Sequence, residues 1–143
     1  MTFMGYEEGI EADIENAEGK IEESEQRMAD VSLRLQAIES AIAQLGDDKE
    51  VAGTLEGNRE SAESEKEDVQ REREQIANEL ENLQNKLGEM EIGNIQSESV
   101  ISQLELLGED VGDAWTVIQE RQAQIQEHRS QIQALLDRLK LHG

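Results

Sequence analysis

An elongated, antiparallel, all-α bundle of three helices with an up-down-up path is the fold this sequence predicts, and three observations predict it. The 143 residues contain no proline and only three aromatic residues, Phe3, Tyr6 and Trp115, with 36% hydrophobic residues in all. Nothing forces a backbone break, and there is too little bulk for a spherical core, whereas long helices bury only a narrow stripe. Apolar residues recur at alternating steps of three and four along most of the chain, the period of a coiled coil. The charge balance is the third observation: 34 acids against 13 bases give a formal net charge of -21, which suits solvated outer faces of helices.

The first helix is expected over residues 7–45. Ile14, Ile21, Met28, Leu35 and Ile42 occupy heptad a, and Ile10, Ala17, Ser24, Val31, Ile38 and Leu45 occupy d, with Ser24 the one polar member. In "LGDDKEVAG", Gly46 suits a left-handed helix end, and Asp47 with Glu50 has capping-box spacing. The same loop superficially resembles a calcium loop, but Ala52 and Arg59 stand where oxygen ligands are required.

The second helix is expected over 48–92. Its d positions are Leu55, Ala62, Val69, Ile76, Leu83 and Met90, and its a positions are Arg59, Lys66, Arg73, Leu80 and Leu87. The three basic a residues can snorkel. Antiparallel pairing sets Ile42 against Leu55, Leu35 against Ala62, Met28 against Val69, Ile21 against Ile76 and Ile14 against Leu83. That register places Arg34 opposite Glu65, Arg27 opposite Glu72, Lys20 opposite Glu79 and Asp13 opposite Lys86. All four g–g′ pairs are opposite in sign, which specifies register more than it stabilises. The other flank, with Glu39 facing Glu56, is left open for a further helix.

The third helix is expected over 97–140, with d at Leu104, Val111, Ile118, Ile125, Ile132 and Leu139 and a wide stripe that adds Val100, Leu107, Ala114 and Leu135 at g. A wide stripe fits a helix lying against two partners. The intervening turn is placed at Gly93-Asn94, with Ser97 or Ser99 as the next cap, because three near-equal helices of about 60–65 Å at about 1.5 Å per residue would cover one another. Two rivals remain: a turn at "LLGEDVGDAW", and a helical hairpin with a very long second helix that dimerises, because the heptad stays in phase from Leu55 to Leu139.

Residues 1–143 thus form a single helical domain. Of its two histidines, His142 is penultimate and His128 reads as a surface residue, without the Glu three residues earlier that a bundle di-iron site needs. No zinc, P-loop, dinucleotide or nucleophile-elbow motif occurs, and there is no cysteine. The expectation is no catalytic residue, no cofactor and no metal. Trp115 reads as a core plug or a partner anchor. Its context, Ala114-Trp115-Thr116-Val117, lacks the glycine of the Trp-x-Gly turn of small type VII secretion proteins, so that resemblance fails.

The acid surplus opposes direct binding to nucleic acid or anionic membranes, and no apolar run is long enough for a membrane span. The sequence therefore predicts a non-enzymatic coiled-coil scaffold or protein-interaction module, cytoplasmic, monomeric or homodimeric, with Trp115, Leu107 and Ile118 as candidate contacts to another protein. Secretion without a cleavable signal peptide is left open, as is a fragment origin. Two alternatives are an acidic decoy that mimics nucleic acid on a basic protein, and a small helical adaptor or chaperone of a secretion or phage system.

Overall fold

The computed structural model describes residues 3–141, with side chains for residues 9–140. The chain forms α1 (Phe3–Gln44), α2 (Lys49–Leu106) and α3 (Gly112–Leu141). Each helix packs on the other two, and no strand occurs among the described residues. The fold is an all-α three-helix bundle in which successive helices run antiparallel.

α1 gives way to a turn at residues 45–48. Asp48, one residue beyond the Asp47 expected from the sequence, caps α2: its Oδ1 accepts from the Val51 N–H at 3.2 Å. The stretch that resembles a calcium loop is therefore a helix start. Gly46 does not take the left-handed conformation expected of it; among the described residues only Gly108 has a positive φ, at 89°.

α2 does not break at Gly93-Asn94. In place of helices over 48–92 and 97–140 there are helices over 49–106 and 112–141, and the reasons are local. Asn94 is buried at a heptad a position, where its Nδ2 donates to the Ile118 carbonyl at 3.1 Å and to Gln122 Oε1 at 3.4 Å. A residue that could have made a turn makes a contact between α2 and α3 instead. Ser97 caps nothing; its Oγ donates to the Gly93 carbonyl within the helix at 3.1 Å. Each interior glycine costs about 1 kcal/mol of helix propensity. The helix continues nonetheless, with Asn94 buried against α3.

The reversal comes at Gly108. Its N–H donates to the Glu105 carbonyl at 3.0 Å, and the Glu109 N–H donates to the Leu104 carbonyl at 3.2 Å. Those two bonds satisfy the last carbonyls of α2 in a Schellman arrangement, for which glycine at the left-handed position is the usual residue. Asp110 Oδ1 then accepts from the Gly112 N–H at 3.2 Å, and Asp113 lies in the first turn of α3. The acidic residues of "GEDVGD" begin a helix, as acids do at the positive end of its dipole.

The three helices are unequal, at 42, 58 and 30 residues, and they are staggered. Two buried polar contacts mark the ends of their overlap. At one end Arg73 Nη1 donates to Ser24 Oγ at 2.8 Å, and Nη2 donates to the Leu139 carbonyl at 3.0 Å. That carbonyl lies near the described end of α3, so Arg73 ties α2 to α3 through the core. Burial lowers the pKa of the Arg73 guanidinium below its ordinary value; the nearby Glu25 charge opposes this and Arg138 adds to it. The other end is the Asn94 contact.

Arg73 and Asn94 stand three heptads apart in α2, as Leu139 and Ile118 do in α3, and Ser24 stands three heptads from Phe3, where α1 starts. Between these levels the core is contributed by all three helices, with Ile10, Ile14 and Ile21 against Leu80, Leu87, Ile125 and Ile132. Arg129 pairs with Glu91 of α2 at 2.9 Å, and Arg138 pairs with Glu25 of α1 at 2.5 Å, which fixes α3 to both neighbours. Among the described residues, only two helices run side by side beyond the two polar contacts. One arm is formed by α1 and α2 over 25–72, the other by α2 and α3 over 95–117.

Candidate interaction surface

The α1/α2 arm is closed by its own side chains. Arg27 pairs with Glu72 at 2.5 Å and Arg34 pairs with Glu65, while Lys20 meets Glu79 at 3.4 Å just inside the three-helix segment. Asp13 and Lys86 border the same groove as Lys20 and Glu79 but make no ion pair with each other. The opposite flank is closed too, contrary to the open seam expected of Glu39 facing Glu56. Arg59, at heptad a, snorkels outward and lies 3.8 Å from Glu39, 3.7 Å from Glu56 and 3.4 Å from Glu63. Inside this arm Val31, Ala62 and Val69 are buried.

The α2/α3 arm is different in kind. Nine large apolar side chains are exposed among the described residues, and seven of them lie between residues 92 and 117. Ile92, Ile95 and Leu106 are on the outer face of α2, and Val117 is on α3. Val100, Leu104 and Leu107 form another group. Leu106 and Leu107 are 87% and 80% exposed, far beyond what a helix of a closed bundle leaves bare. From Leu87 to Glu120 the chain contains eight acids and no Lys, Arg or His. No charged side chain in this arm can be paired by a base of the arm itself.

The candidate contacts separate on this surface. Leu107 is bare at the end of α2, whereas Ile118 is buried at 3% and serves the core. Trp115 is half-buried rather than a core plug, and the described part of α1 stops short of its level; its indole Nε1 donates to Glu105 Oε2 at 3.0 Å across the Gly108 turn. The sequence places the wide stripe of g positions on one helix that seals the hairpin. Instead Val100 and Leu107 belong to α2 and its end, and only Ala114, Arg121, His128 and Leu135 continue along α3.

His128 is buried, not superficial. Its side chain is 5% exposed, with Nε2 3.9 Å from Glu11 Oε1 of α1. The heptad contained the signal, since His128 lies one heptad before Leu135 on the stripe that faces α1. His142 lies outside the described residues. Arg73 and Asn94, the polar residues that set the stagger, belong to no site motif in the sequence. The signal for Arg73 was its place opposite Ser24, the one polar d residue of α1.

Among the described residues no group of three or more His, Cys, Asp or Glu is arranged to hold a metal ion, and no helix is long and apolar enough to cross a membrane. What the arm can do chemically is bury apolar surface and attract positive charge. No family model, no curated protein and no solved structure matches the chain.

Proposed function

We propose that this protein is a non-enzymatic interaction module whose α2/α3 arm docks another protein, while the α1/α2 arm and the three-helix segment serve as a rigid shaft. One observation carries the reading: exposed apolar side chains gather on one arm, while the other arm is closed by ion pairs. Contiguous apolar surface on an otherwise charged protein marks interaction sites, and depletion of charge distinguishes the centre of an interface. The stretch from Ile92 to Leu104 has a single charged residue, Glu98, in a chain that is 33% charged. The partner in this reading is a protein, because a net charge of -21 repels phosphate backbones, and the compartment is the cytoplasm.

Capture from the native host with three baits tests the proposal. The wild type and a Leu33→Ser variant in the closed arm should retain the same partner. A Val100→Ser/Leu107→Ser variant should lose it while keeping its helical circular dichroism. Equal capture by all three baits would remove the α2/α3 arm from the function.

A further inference from the structure

The α2/α3 arm has a groove in the line of α1. On α2 the g residues Glu65, Glu72 and Glu79 face bases of α1, and the same stripe continues through Lys86 and Gly93 to Val100 and Leu107. On α3 the stripe that brings His128 to Glu11 of α1 begins at Ala114. Val100, Leu104, Leu107 and Ala114 therefore stand where α1 would lie if it ran further, and no described segment covers them. Lower in the same groove, α1 shows what fits: Ile10, Ile14, Ala17 and Ile21, spaced by four and three, are buried in it.

We infer that this groove takes a short amphipathic helix rich in lysine or arginine from another protein, lying end-on to α1. The inference rests on the proposed docking role of the arm and names its partner. The apolar side of the helix follows from Val100, Leu104 and Leu107 and from the pattern α1 uses. Its basic side follows from charge. Glu98, Glu105, Glu109, Asp110 and Asp113 surround the groove and the turn, and no base lies between Lys86 and Arg121. In the closed arm Arg27, Arg34 and Arg59 pair with Glu72, Glu65, Glu56 and Glu63 of the same helix α2. On the open arm a partner must bring the equivalent cations. A second copy of this chain would bring five more acids to the same place, and like charges facing each other across an interface oppose association. The exposed length of α2, residues 95–106, accommodates a helix of about 12 residues, roughly 18 Å at about 1.5 Å per residue.

The probe is a synthetic peptide of that length with leucine at a and d and lysine at e and g, beside a matched peptide with glutamate for lysine. Trp115, the sole tryptophan, reports on the arm directly. The lysine peptide should saturate a change in Trp115 emission, with an affinity that weakens as salt rises, and the glutamate peptide should not bind. Val100→Ser/Leu107→Ser should weaken binding about tenfold or more, as loss of buried apolar anchors does. Ile95→Ser, on the outer face, should stay within about twofold on the same scale. Neither variant changes charge, so a merely electrostatic adhesion of the peptide would leave both equal to wild type and overturn the inference. Sedimentation of the protein alone separates the two levels of the reading. Self-association abolished by Val100→Ser/Leu107→Ser would put a second copy in the groove, overturning the basic helix while leaving the arm an interface. No peptide binding and no self-association, with host capture indifferent to the double variant, would overturn both.

Discussion

The two arms are built from the same helix, α2, and differ in what borders it. Over 49–72 α2 is faced by α1, and arginines seal both flanks, Arg27 and Arg34 on one side and Arg59 on the other. Over 95–106 it is faced by α3, and in place of arginines the flanks present Val100, Leu104 and Leu107, with acids that have no base nearby. Among the described residues both arms are two-helix structures. One compensates with ion pairs and small buried residues, Ala62, Val69 and Val31. The other does not compensate. A helical pair can be finished by its own surface or left unfinished, and the unfinished one is where a partner gains most by binding.

The largest effect should come from the border between the three-helix segment and the closed arm. Arg73→Ala leaves the Leu139 carbonyl without its donor and opens a hole beside Ser24. A stability loss of about 3 kcal/mol is expected in urea unfolding. Arg73→Met combined with Ser24→Ala should recover the packing part of the loss but not the part due to the Leu139 carbonyl, which still lacks its donor. If Arg73→Ala proves nearly neutral, the stagger is not fixed at this layer.

Next in size is a pair of glycine substitutions that sets the open arm apart. Gly108→Ala should cost about 1–2 kcal/mol, because a φ of 89° is strained for any residue with a Cβ. Gly93→Ala should stabilise by about 0.5–1 kcal/mol, since an added Cβ meets no other atom within 4 Å. Opposite signs identify the turn. A reversed pair of signs, read from thermal unfolding, would move the turn to Gly93 and dissolve the arm.

The smallest effect belongs to the seal. Reversing Arg27 and Arg34 to Glu breaks two half-exposed ion pairs, each worth about 0.2–1 kcal/mol, and sets like charges beside Glu72 and Glu65. The protein should stay folded, with a loss that shrinks as salt is added. A cysteine pair at positions 34 and 65 should cross-link within one chain. Cross-links formed only between chains would replace the intramolecular arm with a dimer.

Much of this arrangement is legible in the sequence, and the parts that are not share a cause. The α1/α2 register follows from the matching of apolar a and d positions and from three opposite-sign pairs, all of them local patterns carried over a long stretch. The turn is harder, because Gly93-Asn94 and Gly108 are both chemically able to reverse the chain. The choice depends on whether Asn94 finds partners on α3, a contact 24 residues away that no local pattern specifies. Once the turn moves, Trp115 loses its expected cover and Val100 and Leu107 change helices or lose theirs. His128 departs from the surface expectation for a simpler reason: its heptad position, one heptad before Leu135, sets it against α1 whatever its residue type. Arg59 behaves as its a position allows, its stem at the seam and its head turned to Glu39, Glu56 and Glu63.

The measurement that goes most directly to the difference between the arms is the length of the monomer in solution. Unequal, staggered helices exist only if α2 runs unbroken for 58 residues, about 87 Å at about 1.5 Å per residue. Small-angle X-ray scattering, at a concentration where light scattering shows one chain, should give a maximum dimension of about 90 Å by that rise. A value near 60–65 Å, about 40 residues at the same rise, would mean three equal helices covering one another, with no open arm for a partner to fill.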